Sequence, residues 1–251
     1  VDPLADIETA LRDGYVEQGQ HRKGARHARG EPSGELPRTA FVNFLGNHDQ
    51  VGNRAQGERL HQLVEDRTAL RVATAMTVLA PFVPMIFMGD EFLTDAPFLF
   101  FADFTGDLAA AVRKGRAEEF AQFKAFGGEV PDPISPDTFR VSKIGAPCRK
   151  EQQDHQAFVR HLLALRRDHV VPLLADNAWP SVAVERDGAM IEAVWDFGRA
   201  RLSLRARLGT RSGEQAFAPH EDPLILVTGP LVNGKASPFA FSAALHTDRP
   251  E

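Results

Sequence analysis

The densest chemistry in this chain lies in FVNFLGNHDQVGNR, residues 41–54. An apolar run ends in Gly46. Asn47, His48, Asp49, Gln50, Asn53 and Arg54 then supply three amides, an imidazole, a carboxylate and a guanidinium within eight residues. A carboxylate placed like that of Asp49 can act as base, nucleophile, metal ligand or electrostatic stabiliser. The group as a whole presents enough donors and acceptors to suit a polyhydroxylated ligand. Two structural alternatives stand beside this reading: Asp49 as a helix cap, or Asp49 in a buried ion pair with Arg54.

A second polar cluster, Gly89-Asp90-Glu91, ends another apolar run. Glu91 and Asp49 could form the two-carboxylate pair of a glycosidase. The plainer role for Glu91 is to hold a neighbouring backbone amide or an arginine. Downstream, PFLFFADF (residues 97–104) gathers aromatics, among them Phe98 and Phe100. Aromatic faces suit the C–H faces of sugar rings; the alternative is packing beneath a loop. The histidines lack metal-ligand spacing, so no metal site is expected. No dinucleotide fingerprint, phosphate-binding loop or nucleophile elbow occurs, and no cofactor is expected. Trp179 and Trp195 read as core residues.

The elements that must position these groups follow from periodicity and caps. Residues 3–12 read as a helix and 14–37 as a long loop. Residues 39–45 read as a buried strand, 66–79 as a helix capped by Asp66, and 84–88 as a second buried strand closed by Gly89. This βα alternation predicts parallel strands with both polar clusters at their C-terminal ends, where α/β folds collect their chemistry. Further on, 107–126 and 155–168 read as helices and 127–150 as turn-rich chain. After Pro172 apolar and polar residues alternate between Gly-containing turns, which predicts antiparallel strands and a boundary near Val171.

The composition is that of an ordinary globular chain: 251 residues, 43% hydrophobic and 25% charged, with 29 basic against 34 acidic residues. A formal charge of -5 gives no electrostatic reason to bind nucleic acid or anionic lipid, and no run is long and apolar enough to predict a membrane span. The single cysteine excludes an internal disulfide and fits a reducing compartment. The opening VDPLADIETALRDGY lacks an initiator Met and a signal pattern, so the chain is expected to begin inside a longer protein.

These motifs carry a resemblance. FVNFLGNHDQVGNRAQGERL resembles the segment of glycoside hydrolase family 13, the α-amylase superfamily, in which His-Asp follows the seventh barrel strand. PMIFMGDEF resembles that superfamily's eighth-strand segment, and PFLFFADFTGDLAAAVRKGRAEEF is similar to a narrower, trehalose-releasing family within it. The resemblance implies an α/β fold: the C-terminal part of a (β/α)8 TIM barrel over residues 1–170, incomplete, followed by a small antiparallel all-β, sandwich-like domain over 171–251. It implies a transition-state-stabilising role for Asp49 and a sugar contact for His48. Asn47, Gln50, Arg54, Glu91, Phe98 and Phe100 stand with them as candidate substrate contacts. The family's nucleophile and acid/base segments have no match here. A retaining glycosidase needs those two carboxyl groups roughly 5 Å apart, so this chain alone is expected to be inactive. Its implied partner is the missing N-terminal part of the same protein. The implied substrate is a malto-oligosaccharide ending in trehalose, cleaved at the α-1,4 bond beside the trehalose, in the cytoplasm. The loop after Gly19, QHRKGARHARG, lacks the aromatic the family carries there, which leaves Tyr15 as a candidate substitute. Two alternatives stay open: a non-catalytic glycan-binding remnant, or another enzyme of the superfamily that branches glucans or forms trehalose by isomerisation.

Overall fold

The computed structural model describes residues 2–22, 24–121, 130–209, 217–229 and 237–247. Helix α1 (Pro3–Asp13) is followed by a long loop, a two-residue strand β1 (Val42–Asn43), and helices α2 (His48–Gly52), α3 (Leu60–Leu63) and α4 (Arg67–Leu79). Strand β2 (Val83–Pro84) leads through a 3-10 turn (Asp90–Phe92) to helices α5 (Gly106–Ala121), α6 (Pro136–Val141) and α7 (Lys150–Leu165). A π-helical stretch (Arg166–Val170) joins α7 to α8 (Val171–Asp176). Strands β3 (Ser181–Asp187), β4 (Met190–Asp196), β5 (Ala200–Leu208), β6 (Ile225–Thr228) and β7 (Phe239–Thr247) follow. The chain divides into two compact units: residues 1–43, 66–85 and 159–251 form one, and 44–65 with 86–158 the other.

In the first unit, local signals act as read. The Asp2 carboxylate accepts the N–H groups of Leu4 and Ala5 at the start of α1, and that of Asp66 accepts those of Thr68 and Ala69 at the start of α4. Gly14 ends α1 at φ 83°, where a Cβ would lie 2.6 Å from the Phe41 ring, so only glycine fits. The predicted antiparallel strands form one sheet in the order β3-β4-β5-β7-β6. Alternation in β4 buries Ile191, Ala193 and Trp195 on one face. Helix α4 packs on β7, and Phe82 stands edge-on to both Trp195 (6.3 Å) and Phe41 (6.0 Å). Burying each such large apolar side chain contributes about 2–3 kcal/mol. Trp179 corrects an expectation: it is 62% exposed, in the turn before edge strand β3, and only Trp195 is core.

Segments 39–45 and 84–88 are also not the buried strands expected. They pair in parallel, as the alternation predicts, but only through Val42↔Val83 and Asn43↔Pro84, with Met85 N–H donating to Asn43 O at 2.8 Å. Val42 is 53% exposed, and Val83 is exposed too. Residues 38–40 form a 3-10 turn instead. Each strand has one neighbour among the described residues, so one pairing edge of each is open.

Arg166 shows how the turn after α4 is held. Its Nη1 donates to Val78 O and Ala80 O, both at 2.8 Å, and its Nη2 donates to Phe82 O, satisfying carbonyls that a helix end leaves free. Burial pulls this guanidinium down to a pKa of about 10. The patterning changes at 170/171, while the compact unit runs across that point.

The second unit carries α2, α3, α5, α6 and the first part of α7. The turn-rich reading of 127–150 misses α6. Ser135 caps that helix by accepting Asp137 N–H at 3.2 Å, and Pro136 takes its first position. The helix expected over 107–126 is observed to Ala121; 122–126 lies outside the described residues. Helix α7 starts earlier than expected, because Gln152 accepts the N–H groups of Cys148 and Arg149 (3.0 and 3.2 Å). Among the described residues no helix is long and apolar enough to cross a membrane.

Candidate active site

Every candidate residue from Asn47 to Phe100 belongs to the second unit. Helix α2 begins with a reciprocal cap: Asn47 Oδ1 accepts Gln50 N–H (2.9 Å), and Gln50 Oε1 accepts Asn47 N–H (3.2 Å). Asn47, not Asp49, is therefore the cap. Asp49 is not in a buried ion pair either, because its side chain is 70% exposed beside an equally exposed His48, with His48 Nε2 3.3 Å from Asp49 Oδ1. Arg54 turns inward and donates from Nη1 to Glu58 O at 2.7 Å. Asn47, Gln50 and Arg54 fix the turn; His48 and Asp49 are the groups it presents.

The Gly89-Asp90-Glu91 turn lies against this one. A Cβ on Gly46 would sit 3.9 Å from Gln50 Oε1 and 4.0 Å from Asp90 Oδ2. Glu91 takes the plainer role: its Oε2 accepts Gly89 N–H at 2.7 Å. Gly89 has φ 90°, and a Cβ there would meet Thr94 Cγ2 at 2.4 Å, so the turn requires glycine. Leu93, buried, also adopts a left-handed conformation (φ 55°), which stores strain at this site.

Arg59 locks this strained turn. It is 0% exposed, donating from Nη1 to Met88 O (2.8 Å) and from Nε to Ala96 O (3.0 Å), with its guanidinium 5.1 Å from the Phe87 ring centroid. Its Nη1 lies 3.6 Å from Asp90 Oδ1. Burial pushes the Asp90 carboxyl up to about 6; Arg59 opposes the shift and Glu91 adds to it. A carboxyl titrating there can hold a proton close to neutral pH. The folded state binds this proton more tightly than the unfolded chain, so stability falls as pH rises between about 4 and 6. Asp90→Asn is expected to remove that slope, on the order of 3 kcal/mol across the window. Urea melts of both proteins from pH 4 to pH 7 check it.

Phe98 and Phe100 divide the two roles read for them. Phe98 is half-buried: its N–H donates to Gly57 O (3.0 Å), and its ring lies against Gly52 of α2. Phe100 is exposed, with the Arg116 guanidinium 5.2 Å from its ring centroid. Arg116, itself buried, donates from Nη2 to Gly52 O (2.5 Å) and Arg54 O (3.1 Å), closing the C-terminal end of α2. Sequence reasoning missed Arg59, Arg116 and their clamps; no local pattern marks a buried arginine whose acceptors are distant in sequence. Tyr15 is exposed in the other unit, where its loop is pinned by the Gln18↔Gly30 bridge and by Arg22 on Asp6 (2.9 Å). Among the described residues no group of three or more His, Cys, Asp or Glu side chains could hold a metal ion.

No family model matches the chain. Among curated proteins it is similar to the malto-oligosyltrehalose trehalohydrolase of Deinococcus radiodurans, 38% identical over 187 residues, covering 72% of this chain and 30% of that protein. It is 36% identical over 260 residues to that of Brevibacterium helvolum, covering 97% and 42%, and 33% identical over 251 residues to that of Arthrobacter ramosus, covering 98% and 40%. Among solved structures it matches a protein of Salmonella typhimurium described as a candidate alpha amylase. That match has a TM-score of 0.85 at 37% identity and covers 97% of this chain and 41% of that one. The chain thus spans between 30% and 42% of the length of these relatives.

Proposed function

This chain is a relative of the malto-oligosyltrehalose trehalohydrolases, and from that premise we propose that it is the C-terminal part of a glycoside hydrolase that releases trehalose from malto-oligosyltrehalose. Residues 1–170 supply the last strands and helices of a (β/α)8 barrel, with β1 and β2 as its seventh and eighth strands, and 171–251 form the β domain. The parallel pairing of β1 with β2 supports that reading. The observation that carries the function is the exposed Asp49 carboxylate, presented beside His48 on a turn that Asn47, Gln50 and Arg54 hold.

In this reading Asp49 holds the hydroxyls of the sugar at the cleavage point and stabilises the positive charge that builds on its ring in the transition state. His48 contacts the same sugar. Asn47, Gln50 and Arg54 keep the pair in place, Glu91 shapes the neighbouring turn, and Phe98 and Phe100 line the approach. The nucleophile and the acid/base come from the preceding part of the protein. The substrate is a neutral malto-oligosaccharide ending in trehalose, met in the cytoplasm, and no cofactor takes part.

The test compares this chain with a version extended at its N-terminus by the segments bearing the two missing carboxylates. Released trehalose is measured from malto-oligosyltrehalose. The extended protein is expected to release it and the 251-residue chain to release none. An extended protein that binds the sugar without cleaving it would replace the reading with the glycan-binding one. Release by the short chain would overturn the assignment of the reacting groups. In the extended protein, Phe100→Ala is expected to lower trehalose release more than plain maltodextrin hydrolysis. An equal fall in both rates removes this loop as a selectivity element.

A further inference from the structure

The second unit also holds an open groove of about 340 Å3, walled by Phe98, Phe101 and Phe139 and edged by Met88, Lys143 and Ile144. That is near the lower end of ligand sites, roughly 300–1,000 Å3. Its rings form a run of edge-to-face contacts. Phe98 meets Phe101 at 5.8 Å and 69°, and Phe101 meets Phe139 at 5.1 Å and 65°. In each pair the edge of one ring meets the face of the next, so the three rings stand at angles around the groove. Phe101 is exposed, and Phe139 is 46% exposed.

The walls are fixed from behind. Ser142, buried, donates from Oγ to Thr138 O (2.8 Å) and accepts Leu99 N–H (3.1 Å). Thr138 Oγ1 donates to Asp132 O (2.6 Å), and Ala102 N–H donates to Pro133 O (2.8 Å). These bonds tie α6, which carries Phe139, to the backbone on either side of Phe101. The groove is therefore formed before any ligand arrives, and little ordering opposes binding.

Its chemistry favours a neutral ligand. Among the described residues no carboxylate lines it, and the one cation that does, Lys143, has its Nζ 4.7 Å from the Phe139 ring centroid. Aromatic faces accept C–H groups, and an ammonium donates to hydroxyl oxygens. A pyranose ring offers both. Phe98 joins the groove to the Asp49 turn, because the same side chain lies against Gly52 of α2. We infer that the Phe98–Phe101–Phe139 groove is a carbohydrate subsite that takes a glucosyl ring by stacking. The inference rests on the glycosidase reading and adds Phe101, Phe139 and Lys143 to its binding residues.

The experiment needs no turnover. Trehalose and maltotetraose are titrated separately into the 15N-labelled 251-residue chain, and backbone amide shifts are followed. Saturable shifts are expected at residues 98–104 and 138–144, with Phe139→Ala weakening that binding between about two- and tenfold. Phe139→Tyr, which keeps the ring, is expected to restore it. Phe139 is exposed enough for the truncation to fold, and circular dichroism checks this. Shifts confined to residues 47–54 overturn the groove and leave the proposed function standing. Groove shifts that Phe139→Ala does not weaken overturn it as well, as does the absence of any shift with either sugar. Groove binding combined with no trehalose release by the extended protein would keep the subsite and remove the trehalohydrolase reading.

Discussion

Asp49→Ala in the N-terminally extended protein is expected to lower kcat by about 10²–10³-fold, the loss seen when one stabiliser of transition-state charge is removed. The fold should not notice. The side chain is 70% exposed and its neighbour on this turn is an equally exposed His48, so the change in stability should stay within about 0.5 kcal/mol. Asn47→Ala provides the contrast. It removes the cap that accepts Gln50 N–H and should cost about 1 kcal/mol of stability along with activity. Steady-state kinetics beside urea melts separate the two. A near-normal kcat for Asp49→Ala would take this carboxylate out of the chemistry.

Arg59→Met should be the most destabilising single change in the second unit, by about 3–5 kcal/mol at neutral pH. It keeps an unbranched apolar stem but leaves Met88 O and Ala96 O without their donor, and leaves the Asp90 carboxylate without its cation. The loss should depend on pH, and the sign is fixed. Arg59 is what holds Asp90 down; without it the carboxyl rises above about 6. The variant therefore carries an unpaired, half-buried charge at pH 7.5 and a neutral acid at pH 5, and its deficit should shrink as pH falls. Urea melts of Arg59→Met, Asp90→Asn and the double variant at both pH values measure this coupling. Equal deficits at the two pH values would show that only the carbonyl contacts matter.

What could be read from the residue order was what is decided locally. Asp2 and Asp66 cap the helices they precede because a carboxylate need only reach two or three residues ahead. Strands β3 and β4 alternate because one face of the sheet is the more buried. The Asn47–Arg54 cluster was visible for the same reason, and the reciprocal Asn47–Gln50 cap turned it into a presented His-Asp pair. The expected lengths of β1 and β2 were wrong because pairing depends on what lies opposite, and only two residues of each find a partner. Helix α6 was hidden because Ser135-Pro136 reads equally well as a turn and as a helix start. The groove inherits that blindness, since Phe139 rides on α6.

The arginine clamps also bear on the order in which the chain comes together. The acceptors of Arg59 lie 29 and 37 positions away along the chain, those of Arg116 lie 62 and 64 away, and those of Arg166 lie 84 to 88 away. None of these bonds can form until the intervening stretch has been gathered in, a cost in chain freedom that local capping never meets. The turns they fasten should thus be late arrivals on the folding route, slow for their size. Once formed, they should open only with the body that carries them, so that amide protons around Gly89 exchange at the rate of whole-unit unfolding rather than by fraying.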